Sequence, residues 1–210
     1  MDLYTYYRST SSYRVRIALG LKGLDYQALP VNLIANGGEH RQAAYRALNP
    51  QGRVPALRTD GGELLIQSPA IIEYLEEAFP NPSLLPGDLV ARARHRQVAA
   101  LIGCDIHPLH NVSVLNRLRH LKVAEEEVSA WIAHWVSEGF SAVEALIGDE
   151  GYCFGTVGLA DVYLLPQLYA ARRFSVDLAG FPNILRVERL ALEHPAFLAA
   201  HPDAQPDTPA

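Results

Sequence analysis

Cysteine is nearly absent from this sequence: 210 residues hold two, Cys104 and Cys153, far apart and in no CxxC pair. A disulfide scaffold is therefore excluded, and a reducing compartment is expected. Positive charge is also short. Eighteen Lys and Arg face 23 Asp and Glu, for a net charge of -5, which argues against nucleic acid as a partner. No unbroken apolar run reaches the roughly 18 residues of a membrane span. No signal-peptide core precedes the first strand pattern, so the expected location is cytoplasmic, with no membrane partner. Only 20% of the residues are charged and 49% are hydrophobic. That balance is globular rather than disordered.

What is present falls into two stretches of different character. Leu3 to Tyr7 reads as a strand rich in aromatic residues, and Ser12 to Lys22 as a helix ended by Gly23. Tyr26 to Leu33 is a second strand pattern and His40 to Leu48 a short helix stopped at Asn49-Pro50. Val54 to Arg58 and Glu63 to Ile66 are two more strands around the turn Asp60-Gly61-Gly62. Ser68 to Ala78 is a helix with Ile71, Ile72 and Leu75 inward. The order βαβαββα predicts an α/β domain over residues 1–80. Phe79 to Gly87, with Pro80, Pro82 and Pro86, is the linker. Strand signals then vanish. Helical patterns over 89–120, 124–147, 159–172 and 184–193 predict an all-α domain spanning 88–210. The polar tail from His201 is expected as an extended strap or a frayed end.

The chemistry concentrates at one helix start. Arg8 precedes four hydroxyl residues, Ser9-Thr10-Ser11-Ser12. Free N–H groups, the positive end of the helix dipole and a guanidinium together favour an anion. The same hydroxyls also serve as helix caps, so the segment alone admits both readings. No cysteine lies there, so any thiol must come from a ligand. Val54-Pro55 opens a strand; a cis bond there would turn the Val54 backbone toward an extended peptide, whereas a trans loop proline is the ordinary reading. In Gln67-Ser68-Pro69, Ser68 suits an N-cap and Pro69 the first turn, which leaves Gln67 to hold a small zwitterion. His107 and Asn111 stand four apart on a helix interrupted by Pro108; they read as the polar lining of a cleft, with no metal, since no third ligand is near. Asp161 after Gly158 completes a capping box, and Arg172-Arg173 closes that helix with charges favoured at its C-terminus.

Taken in order, Tyr7-Arg8-Ser9-Thr10-Ser11-Ser12-Tyr13-Arg14-Val15-Arg16-Ile17-Ala18-Leu19, Ala47-Leu48-Asn49-Pro50, Val54-Pro55, Gln67-Ser68-Pro69, Pro108-Leu109-His110-Asn111 and Gln205-Pro206-Asp207-Thr208-Pro209 resemble the zeta class of the glutathione transferase family over essentially the whole chain. The resemblance implies a thioredoxin-like N-terminal domain, an all-α C-terminal domain and a homodimer. It implies glutathione as cofactor, with Gln67 and Ser68 on its γ-glutamyl end, Val54 before a cis Pro55 on its cysteinyl backbone, and His107 and Asn111 contacting cofactor or substrate. It further implies cis–trans isomerisation of a small dicarboxylic keto acid. Maleylpyruvate is placed ahead of maleylacetoacetate because the class pattern Ser-Ser-Cys-Ser has lost its Cys here. Ser9, Thr10 and Ser11 are the candidate donors to the sulfur, and Arg8 and Arg173 the cations for the carboxylates. The capping box departs too, with Gly158 where the family carries Ser or Thr; only a small stability cost is expected. The rival activities are glutathione conjugation of haloacids or other electrophiles, which Arg8 and Arg173 oppose, and a non-enzymatic interaction module, which would lack the hydroxyl cluster or the Gln-Ser pair.

Overall fold

Strand β1 (Asp2–Thr5) sits inside a four-stranded sheet in the order β2-β1-β3-β4. β2 (Gln27–Pro30) runs parallel to it, while β3 (Ala56–Arg58) and β4 (Leu64–Ile66) form an antiparallel hairpin on its other side. The parallel pair needs a crossover, supplied by helix α1 (Thr10–Leu21). The hairpin closes through Gly62 at φ +95, with the Thr59 hydroxyl donating to Glu63 Oε2 at 2.6 Å. The computed structural model describes residues 1–209. Every strand is shorter than its sequence pattern: Tyr6 and Tyr7 lie outside β1, and residues 31–33 have left β2.

Helix α2 (Ala43–Leu48) follows a 3₁₀ turn at Glu39–Arg41, and α3 (Ser68–Ala78) follows β4. Ile71, Ile72 and Leu75 are buried as their spacing predicts, each contributing about 1.5–3 kcal/mol of burial. Gly23 takes φ +65 just beyond α1, the left-handed conformation that suits glycine after a helix end. There the buried Lys22 ammonium donates to Glu76 at 2.7 Å and to the carbonyls of Phe79 and Pro82. This satisfies the charge and ties α1 to the end of α3.

The second unit runs from Leu84 to Leu192. Helix α4 (Leu89–Ala100) continues as a π-helical turn, Leu101–Ile106, and a 3₁₀ turn, His107–His110, before α5 (Val112–His120). Together Leu89–His120 is long and apolar enough to cross a membrane by length and composition. Its unbroken apolar runs are short, because Arg, Asp, His and Pro are interspersed. Within this unit Val98, Ala99, Ile102 and Ile106 of the stretch are buried core. Helices α6 (Glu125–Leu146), α7 (Leu159–Arg173) and α8 (Pro182–Ala191) complete the unit.

The compact units depart from the expected 88–210 division at the C-terminus. The segment from Glu193 groups with residues 1–83. It contains a helix the sequence patterns did not predict, α9 (Pro195–Ala200). Two features of α1 draw it back. A Cβ at Gly20 would stand 3.3 Å from Ala196, so glycine permits close approach. The buried Arg16 Nε donates to the Ala200 carbonyl at 3.0 Å.

Candidate active site

The hydroxyl cluster opens α1 as a cap and as more than a cap. Ser9 is the N-cap, and its Oγ accepts the Ser12 N–H at 3.3 Å. Its own O–H proton remains available to a ligand. The Thr10 and Ser11 N–H groups have no hydrogen-bond partner among the described residues. Ser12, absent from the expected donors, is fully buried with an unpartnered Oγ. Buried polar atoms of that kind are few in native structures and invite an explanation. The Arg8 guanidinium stands 5.9 Å from the ring centroids of both Tyr6 and Tyr7, positions open to a cation–π contribution. Burial raises the Tyr6 hydroxyl pKa, partly opposed by Arg8, which keeps the phenol neutral.

The Val54–Pro55 bond is cis. Val54 packs in one cluster with Tyr6, Val31 and Tyr45, with Tyr7 against it. The loop before Arg8 and the Val54–Pro55 segment that leads into β3 are therefore neighbours. No hydrogen bond to the Val54 N–H or C=O is found among the described residues. A backbone left open in this way can pair with an extended peptide.

Ser68 is not the cap of α3. Gln67 takes that place at φ +72, without a side-chain capping bond, so Ser68 is the first helical residue and Pro69 the second. Pro69 still belongs in the first turn, because its missing N–H is one the helix would leave unpaired. The buried Ser68 hydroxyl is thus released from capping. A left-handed φ at a glutamine is uncommon and often marks a functional position. The Gln67 amide donates to Gln51 Oε1 at 2.6 Å, a partner that nothing in the local sequence distinguishes from an ordinary turn residue.

In the second unit, His107 and Asn111 do not share one helix face. Pro108 enters a 3₁₀ turn, and Asn111 is extended at ψ 144 as the N-cap of α5. Its Oδ1 accepts from the Ser113 N–H and hydroxyl, so only its amide NH₂ remains for a ligand. His107 lies edge-on to His110, whose ring meets Phe174. The buried His110 is hydrogen-bonded to Gln167. Trp131 Nε1 donates to the Leu109 carbonyl at 2.8 Å and pins the turn. Arg172 and Arg173, at the end of α7, have different surroundings. Arg172 forms a two-pronged ion pair with Glu188, while the exposed Arg173 stacks over Phe174 at 4.6 Å.

The capping box of α7 is structural. Asp161, fully buried, accepts the N–H groups of Gly158 at 2.8 Å and Cys153 at 2.9 Å. Burial pushes its carboxyl up to about 6. Burial also raises the Cys153 thiol well above its ordinary value, with Asp161 adding to it. Cys153 is therefore a poor nucleophile. Gly158 is required by packing: a Cβ there would meet His95 Cε1 at 2.4 Å and the Leu84 carbonyl at 2.9 Å. His95 Nδ1 accepts the Ala160 N–H at 3.4 Å, an interaction a capping side chain would otherwise make.

Residues 3–83 match the model of the glutathione S-transferase N-terminal domain. The chain is 72% identical over 211 residues, covering all of both chains, to maleylacetoacetate isomerase of Pseudomonas aeruginosa. It superposes with a TM-score of 0.94, at 49% identity and full coverage of both, on a holo structure of a maleylpyruvate isomerase described as a bacterial glutathione S-transferase of the zeta class. A maleylacetoacetate isomerase from Anaeromyxobacter dehalogenans with glutathione in its active site matches at TM-score 0.89 and 42% identity, over 99% of this chain and 97% of that one. These matches establish the expected class, a thioredoxin-like α/β part followed by a helical part.

Proposed function

Because the chain belongs to the zeta class of the glutathione transferase family, we propose that it is a glutathione-dependent cis–trans isomerase of maleyl keto acids. The observation that carries the reading is the start of α1. Two open N–H groups, a capping hydroxyl with a free proton and a nearby guanidinium gather there without a cysteine. That arrangement fits a thiolate brought by a peptide cofactor. Glutathione, when bound, supplies a thiolate that adds reversibly to the activated double bond, leaving a single bond that can rotate before the thiolate departs.

The chain's residues then have separable tasks. Ser9, with Thr10 and Ser11 as rivals, donates to the sulfur, and the α1 N-terminus lowers its pKa. Val54 pairs with the cysteinyl backbone through its open N–H and C=O. Gln67 and Ser68 receive the γ-glutamyl end, for which the released Ser68 hydroxyl is suited. Residues 1–80 thus serve as the glutathione-binding domain, and the helical part from residue 88 as the substrate-binding domain, contributing His107, Asn111 and Arg173. Arg8 stabilises negative charge growing on the substrate's enolate oxygen during addition. Arg173 pairs with the distal carboxylate, where the guanidinium fork matches carboxylate geometry. We also propose a homodimer in the cytoplasm, on the family resemblance.

The 72% identical relative bears the maleylacetoacetate name. On that name we put maleylacetoacetate first as substrate, whereas the lost Cys favours maleylpyruvate. The test is conversion of each acid with glutathione well below stoichiometric amounts. Turnover of at least one acid supports the reading. No turnover of either, with conjugation of haloacids instead, would replace it.

A further inference from the structure

The link from β1 to α1 carries Arg8 and Ser9, yet it lies outside the sheet and the helix. Its backbone is held instead from the far end of the chain. The Tyr7 N–H donates to Asp207 Oδ2 at 2.9 Å, across 200 residues. The Tyr7 carbonyl accepts from Arg16 Nη2 at 2.8 Å, and Arg16 Nη1 reaches Thr5 Oγ1 at 3.1 Å. Both backbone polar groups of Tyr7 are thus bound by charged side chains, and charge-assisted bonds are the stronger kind.

Asp207 is itself bracketed. On one side Gln205 Nε2 donates to the carbonyls of Ala199 and His201, each at 2.9 Å. On the other the Thr208 hydroxyl donates to the Pro202 carbonyl at 2.5 Å. The tail is therefore a fastened strap rather than a frayed end. The second Asp207 oxygen, Oδ1, is buried without a hydrogen-bond partner. Leaving it so costs free energy that an apolar tail residue would avoid. A tail that merely covered α1 would not need this carboxylate. Asp207 and Arg8 also act together on the Tyr6 hydroxyl, with opposite sign.

We propose that Asp207 is a positioning residue for the thiol end of the active site: by holding the Tyr7 N–H it fixes the backbone from which Arg8 and Ser9 project. The inference rests on the isomerase reading for its kinetic consequence. Its structural part stands on the Tyr7 bond alone.

The experiment compares the full-length protein with Asp207→Ala and Asp207→Asn by three readouts. The first is amide exchange at Tyr7 in the protein without ligand. The second is the ultraviolet titration of bound glutathione thiolate. The third is kcat and KM on the maleyl acid. The wild-type Tyr7 amide is expected to be protected, and Asp207→Ala to exchange it faster by at least about tenfold. Asp207→Ala should lower kcat by about ten- to a hundredfold, as small misplacements near chemistry do, move KM less, and titrate its bound thiol at higher pH. Asp207→Asn retains an acceptor oxygen and should recover most of kcat. An Ala variant with wild-type kcat and titration overturns the proposal, as does an Asn variant as impaired as a folded Ala variant. If Asp207→Ala does not fold, wild-type exchange still decides: a freely exchanging Tyr7 amide overturns the assignment. Absence of isomerase turnover in the wild type would sink the functional reading, while exchange and titration would still judge Asp207.

Discussion

Replacing Ser9 by Ala removes two interactions whose sizes and readouts differ. The bond from the Ser12 N–H to Ser9 Oγ spans 3.3 Å, long for an N–H donor. Loss of this cap should therefore cost near the lower end of the usual range, about 0.5–1 kcal/mol of stability. The hydroxyl proton is a separate matter. A hydrogen bond to a charged group contributes about 1.5–3 kcal/mol, and one pKa unit is about 1.4 kcal/mol. Losing a donor to the bound thiolate should raise its pKa by about one to two units. The Ser12 N–H freed by the substitution is a new donor in the same turn, so about one unit is expected. The assay is the ultraviolet titration of bound glutathione in Ser9→Ala, beside Thr10→Val and Ser11→Ala. Only the true donor should shift the curve. If all three variants titrate like the wild type, the N–H groups and helix dipole suffice and the hydroxyl assignment is wrong.

Three further outcomes are expected. Arg8→Ala should lower kcat while Arg173→Ala mainly raises KM, each by roughly ten- to a hundredfold; Arg173→Lys should rescue only in part, and steady-state kinetics normal in both alanine variants would rule out this substrate pose. Gly158→Ser, a gain of a few tenths of a kcal/mol by capping preference, should instead destabilise by about 1–3 kcal/mol, because its Cβ meets His95 at 2.4 Å and backbone at 2.9 Å; an unchanged or raised urea midpoint would contradict this. For Asp161, whose carboxyl is raised from 3.8 to about 6, the folded chain keeps a proton the unfolded chain has lost between those values, so its stabilising contribution is complete below pH 3.8 and is lost as pH rises through 6. The difference amounts to about 3 kcal/mol, and Asp161→Asn should remove that slope from unfolding free energies measured between about pH 4 and pH 7.

Local chemistry was legible in the sequence. The Ser/Thr cluster, Gly23 and the pattern of Ile71, Ile72 and Leu75 each depend on neighbours within a turn or two, and each lies where its spacing predicts. Errors arose where a distant partner decides. Ser68 has every local mark of an N-cap, yet Gln67 takes the cap at positive φ. Gly158 has the local marks of a weakened cap, but His95, far earlier in the chain, occupies the space a side chain there would need. Pro108 signalled a break, but the π turn at Leu101–Ile106 leaves no mark in composition. Helix α9 is only six residues long and is capped by the His194 ring rather than by Ser, Thr, Asp or Asn. The Asp207–Tyr7 bond joins the two ends of the chain, beyond the reach of any periodicity.

The account's central claim is that the chain borrows its thiol and returns it. Direct mass analysis of glutathione after many turnovers of maleylacetoacetate tests it. Free glutathione recovered in full, with the trans acid formed in large molar excess over it, is the expected result. Glutathione consumed one for one and found as a stable conjugate would contradict the claim and make the enzyme a transferase. Full turnover with no glutathione added would move the chemistry onto the protein itself.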